Sequence, residues 1–114
     1  MKKRKKKIKT KNITNDIITE DLASLIREVV PSCYGVVDIA NIAKKKGKKE
    51  EGLEVTLRSD NRISITVYLI VDGNVKITET IRSCQKTIIY RLSRVCPGYE
   101  LSVSVYAEEI SSHM

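Results

Sequence analysis

The side chains in this 114-residue chain best suited to chemistry are three cysteines, one histidine and a pair of adjacent glutamates. Cys33, Cys84 and Cys96 are odd in number and never fall in a CxxC spacing, which argues against a disulfide framework and against a zinc site. Cys84 lies on an apolar helical stripe, where a thiol is inert packing. Cys33 and Cys96 lie near the C-terminal ends of helices, whose dipole raises a thiol pKa and opposes thiolate chemistry. His113 is the only histidine, and it is not placed to serve a nucleophile as base. Glu108 and Glu109 are neighbours on an expected strand, so alternation sends them to opposite faces, where they cannot share a substrate. The run Gly47-Lys48-Lys49-Glu50-Glu51-Gly52 lacks the phosphate-loop pattern and precedes a strand rather than a helix. These residues predict no catalytic, cofactor or metal site, and a protein that is not an enzyme.

The charge has a pattern of its own. The formal net charge is +7. Lys2, Lys3, Arg4, Lys5, Lys6, Lys7, Lys9 and Lys11 crowd the first eleven residues, and residues 44–52 add a second basic cluster. The stretch between them is acidic, and residues 53–114 balance. Like charges repel and bury no apolar area, so residues 1–11 are expected to be a disordered basic tail. Lys2, Lys3, Arg4, Lys5, Lys6 and Lys7 are its candidate anion-binding residues, for weak contact with nucleic acid or anionic lipid. No apolar run reaches the roughly 20 residues that span a bilayer, and the basic start lacks a signal peptide's apolar stretch. The expected location is cytoplasmic.

The elements that must position these residues are legible as periodicity. Thr19 is the expected N-cap of a helix over about 20–30, with Leu22, Leu25, Ile26 and Val29 as its apolar stripe and Pro31 as its stop. Residues 34–39 are a candidate first strand. Residues 44–52 read as a mobile loop. Leu53, Val55 and Leu57 alternate with polar residues, and Ser59-Asp60-Asn61-Arg62 supplies hairpin turn chemistry. Ile63, Ile65, Val67, Leu69 and Val71 form one aliphatic strand face against Ser64, Thr66, Tyr68 and Ile70. A long helix over about 76–95 carries the stripe Ile77, Ile81, Cys84, Ile88, Leu92 and Val95, and Pro97-Gly98 ends it. A last strand alternates Leu101, Val103, Val105 and Ala107 against Ser102, Ser104 and Tyr106. The expected fold is an α+β two-layer sandwich over residues 12–110, in the order α-β-β-β-α-β. Two helices cover one face of a mostly antiparallel or mixed four-stranded sheet. Residues 111–114 are a short C-terminal tail.

From about Ile18 to Ile110 the succession of elements resembles the alkaline shock, or Gls-type envelope stress response, family of bacterial proteins. Leu22-Ala23-Ser24-Leu25-Ile26 and Gly35-Val36 stand where that family has its opening helix and a Gly-Val pair. Ile63 to Val71 and Gly73 match its alternating strand and turn, with Asp72 in place of the usual Tyr. Gln85 matches the second residue of a Val-Gln pair on the long helix. Gly98 and Val103-Ser104-Val105 match its close, with Ser where Asn is usual. The resemblance implies a non-catalytic factor in cell-envelope homeostasis that self-assembles. It also implies association with the membrane through a separate, membrane-anchored protein of the same family.

Two surfaces follow as candidates. Thr66, Tyr68, Ile70, Ser104 and Tyr106 mark the sheet face away from the core as an interaction surface, since Tyr suits interfaces that are half apolar and half polar. A thin core without Phe or Trp also favours burial in an oligomer. The alternative function is a small nucleic-acid-binding accessory protein, a KH-like α+β module with a basic arm. Against it, residues 47–52 do not form a GxxG clamp between helices.

Overall fold

A computed structural model describes residues 18–43 and 47–112. The tail residues Lys2, Lys3, Arg4, Lys5, Lys6 and Lys7 lie outside them. Helix α1 covers residues 18–29 and passes into a 3-10 turn over Val30–Ser32, where Pro31 removes a backbone donor. Thr19 lies inside this helix rather than capping it, because the backbone is already helical at Ile18. Strands β1 (Val36–Ile39), β2 (Asn41–Ala43), β3 (Lys49–Glu51), β4 (Leu53–Arg58) and β5 (Arg62–Asp72) follow, then helix α2 (Ile77–Val95) and strand β6 (Glu100–Ser111).

The fold is α+β, with two helices and a mixed sheet. Its order departs from the expected α-β-β-β-α-β, because six strands form two sheets. In the four-stranded sheet β5 is central. It pairs in parallel with β6 along its whole length, and antiparallel with β4 over residues 62–67 and with β1 over 69–71. Since β6 occupies one edge of β5, β1 and β4 lie end to end along the other. The remaining strands, β2 and β3, form a hairpin that leaves this edge between them. The segment read as a loop over 44–52 therefore carries strand β3.

The hairpin departs at one residue. Tyr68 donates its N–H to the Gly52 carbonyl at 2.8 Å and accepts from the Ala40 N–H at 2.8 Å, while the Gly52 N–H closes on the Ala40 carbonyl at 2.7 Å. Gly52 is required here by space. A Cβ would meet the Ala40 carbonyl oxygen and the Tyr68 Cβ, each at 2.8 Å. On the helix side, Arg27 holds Glu51 through both carboxylate oxygens at 3.0 Å and also reaches Glu20 at 3.3 Å. These two acceptors, Glu51 first, raise the Arg27 pKa.

The core lies between the helices and one face of the sheet. Ile63, Ile65, Val67, Leu69 and Val71 are at most 1 % exposed and pack with Ile26, Val30, Cys84, Ile88, Leu92, Val103 and Val105. Burial of each such aliphatic side chain is worth about 1.5–3 kcal/mol. The buried row of α2 is Thr80, Cys84, Ile88 and Leu92. Val95, expected on the stripe, is 60 % exposed, because the contact follows the i, i+4 row from Thr80 rather than the alternating three- and four-residue steps. The β5–α2–β6 unit is the parallel crossover that places α2 on the sheet.

Candidate functional site

Alternation carries the even-numbered residues of β5 to the face opposite the core. Arg62, Ser64, Thr66, Tyr68, Ile70 and Asp72 follow one another there. The register brings Ser104 beside Thr66 and Tyr106 beside Tyr68. The two tyrosine rings stack, with centroids 5.3 Å apart and planes at 24°. Tyr106 is 50 % exposed. Thr66, Tyr68, Ile70, Ser104 and Tyr106 thus share one surface, as the sequence implies.

The charges on this face are mixed at one end and acidic at the other. Arg58 pairs with Arg62 across β4 and β5 at one end. At the other, Ile70 has Asp38 as its partner on β1 and Glu109 on β6, and Asp72 follows two residues later. Arg58 donates to the Ser64 hydroxyl at 3.1 Å, and Arg62 pairs with Asp60 at 3.6 Å and Glu100 at 4.0 Å. Glu54 lies beside Thr66 in the middle.

A bulge corrects one expectation. The β6 register shifts between Leu69 and Ile70, so Ala107 pairs with Leu69 and Glu109 with Ile70, while Glu108 is the extra residue. Regular alternation, which would set Glu108 and Glu109 on opposite faces, is broken there. Both carboxylates are exposed.

The cysteines are placed by the core. Cys84 is fully buried, and its thiol pKa is pushed up to about 12, first by desolvation and then by the neighbouring Cys33 thiol. Cys33 is part-buried and directs its thiol to the Val29 carbonyl at 3.6 Å. Cys96 donates to the Leu92 carbonyl at 3.0 Å, and burial raises its pKa. Among the described residues no group of three or more His, Cys, Asp or Glu could hold a metal ion. Among them, too, no helix is long and apolar enough to cross a membrane.

One residue with a structural tie escaped the sequence reading. Gln85, noted there only for its resemblance, donates from α2 to the Val103 carbonyl of β6 at 2.7 Å.

No protein-family model and no solved structure matches the chain. The chain is similar to a protein of Bacillus subtilis (strain 168) described as "Uncharacterized protein YloU". The two are 26% identical over 115 residues, covering 90% of this chain and 92% of that protein.

Proposed function

We propose that this chain is a non-catalytic assembly protein of the bacterial cell-envelope stress response, working through contact between its outer sheet face and a second copy of itself. The stacked Tyr68–Tyr106 pair carries this reading. Two aromatic rings held side by side on a folded sheet have lost most of their conformational freedom already, so docking on them costs little further entropy. The acidic end opposite Arg58 supports a two-fold arrangement. Two faces stacked about a two-fold axis bring Arg58 of each copy to Asp38, Asp72 and Glu109 of the other, while Arg62 stays with its own Asp60 and Glu100. The family resemblance supports the envelope role, with a membrane-anchored relative as the second partner.

Sedimentation of the full chain across micromolar concentrations tests it. The expected result is a reversible dimer or larger species that dissociates in Tyr68→Ala and Tyr106→Ala, with both variants still folded. A monomer at every concentration, with no binding to a membrane-anchored partner, would overturn the reading. The rival, nucleic-acid binding, rests on Lys2 to Lys7. It calls for affinity that falls steeply with salt and disappears when residues 1–11 are removed.

A further inference from the structure

The outward side of α2 carries a charge pattern of its own. The buried row of this helix, Thr80, Cys84, Ile88 and Leu92, repeats every four residues. A second row has the same spacing, Arg82, Lys86, Tyr90 and Arg94, and all four are exposed. It is displaced from the buried row by two residues, and so by about 200° around the helix axis. The second row therefore points away from the sheet, on the side of the molecule opposite Tyr68 and Tyr106. It extends about 18 Å, at about 1.5 Å per residue. From Thr80 to Tyr99 the chain has no acidic residue, and Arg91 adds a fourth base beside the row.

The pairing of the charges supplies an independent sign. Arg27 is held by Glu51 and Glu20, Arg62 by Asp60 and Glu100, and Lys76 by Glu79. Among the described residues, Arg82, Lys86, Arg91 and Arg94 enter no ion pair. Arg82 and Lys86 stand one turn apart, where like charges repel, so a partner that brings negative charge relieves the repulsion. Arg94 is already held in place. Its Nη1 donates to the Tyr90 hydroxyl at 2.9 Å, and its guanidinium carbon lies 5.6 Å from the centre of that ring. Because the phenol oxygen accepts this bond, its own proton is left for an acceptor from outside.

Arginine, lysine and tyrosine donors at regular steps along a rigid rod suit a linear array of phosphates. An anionic bilayer is a poorer match, because a helix lying on a bilayer buries an apolar stripe. Along this row the one ring, Tyr90, stands between Lys86 and Arg94. We propose that the outward row of α2 lies against the phosphate backbone of duplex nucleic acid, without sequence preference. Arg82, Lys86 and Arg94 meet phosphates, and Tyr90 donates to another. The contact uses neither the tyrosine pair of the sheet nor residues 1–11, so it is compatible with assembly and distinct from binding through the tail.

Fluorescence anisotropy of a labelled DNA duplex of mixed sequence, about 20 base pairs long, tests this. The full chain is titrated at several salt concentrations between about 50 and 200 mM. Arg82→Gln and Lys86→Gln, at exposed helical positions, should each weaken binding about three- to tenfold. Each should also lower the slope of log affinity against log salt by about one. Lys86→Arg should keep the wild-type affinity. Lys48→Gln removes the same charge from an exposed position off α2 and should change affinity less than about twofold, which separates a placed contact from net charge. Three results would overturn the proposal. One is a wild-type chain that leaves the duplex unbound. Another is equal affinity in wild type and the Arg82→Gln/Lys86→Gln double variant, which assigns the binding to residues 1–11. The third is binding to phosphatidylglycerol vesicles in preference to the duplex with the same dependence on Arg82 and Lys86, which makes the partner a bilayer.

Discussion

The side-chain amide of Gln85 on α2 donates to the backbone carbonyl of Val103 on β6 at 2.7 Å. Among the described residues β6 pairs with β5 alone, so one edge of this 12-residue strand is open. An open edge exposes backbone groups that another strand can take. Gln85 satisfies one of them from within the molecule and ties the crossover helix to its strand. Gln85→Ala is expected to lower stability by about 1 kcal/mol, the net worth of one such bond. Urea denaturation checks the magnitude, and amide exchange checks that the loss of protection centres on residues 101–105.

The charge arrangement of the outer face gives a swap experiment. Arg58→Glu should weaken self-association several-fold by setting a carboxylate against the acidic end of the facing copy. Adding Glu109→Arg to the same chain should recover most of the loss, because the two residues set against each other exchange sign together. Sedimentation of the single and double variants at low salt reads this out, and high salt should shrink the difference.

Two glycines should behave in opposite ways. Gly52→Ala forces a Cβ against the Ala40 carbonyl and the Tyr68 Cβ at once, and is expected to cost about 1–3 kcal/mol as an overpacked site. Gly98→Ala meets nothing within 4 Å and should stay within about 0.5 kcal/mol of wild type. Thermal unfolding of the pair decides it. If both were neutral, the hairpin base would not be as close as described.

The buried thiol of Cys84 predicts an alkaline weakness. Its pKa is about 12 in the folded chain and about 8.5 when unfolded. Below the unfolded value both states hold the proton, and stability is unaffected. Between the two values the unfolded chain alone releases it, so stability should fall by up to about 1.4 kcal/mol per pH unit from pH 9 towards 12. Cys84→Ala should flatten that slope while lowering stability at neutral pH. Denaturation across the alkaline range measures both, and Cys33 should react with an alkylating reagent before Cys84 does.

Much of the fold was legible because single residues repeat at fixed periods. The alternation from Ile63 to Val71 identified β5 and its core face, and Ile88 and Leu92 with Cys84 identified the inner side of α2. Thr80 was missed because hydrophobic periodicity skips a polar residue, even where the packing row runs through it. Strand β3 was missed because Lys49, Glu50 and Glu51 are charged and pair on a hairpin that stands off the sheet, so no alternation marks them. The candidate surface was legible residue by residue, but the meeting of Tyr68 and Tyr106 was not. Their adjacency comes from a parallel register joining residues 38 positions apart, which no local pattern encodes. The bulge at Glu108 was equally hidden, since it is a mismatch between two strands rather than a feature of either.

Ala40 and Gly52 are brought together on the backbone of Tyr68, and the edge of the sheet resumes beyond them in the same direction. Whatever lies between these two residues is therefore hung from the sheet without helping to set its register. Related chains can lengthen, shorten or recharge that excursion at little entropic cost, while the edge strand and the tyrosine pair stay where they are. Divergence among relatives should accordingly concentrate between positions 41 and 51, giving each protein a distinct appendage on a common frame.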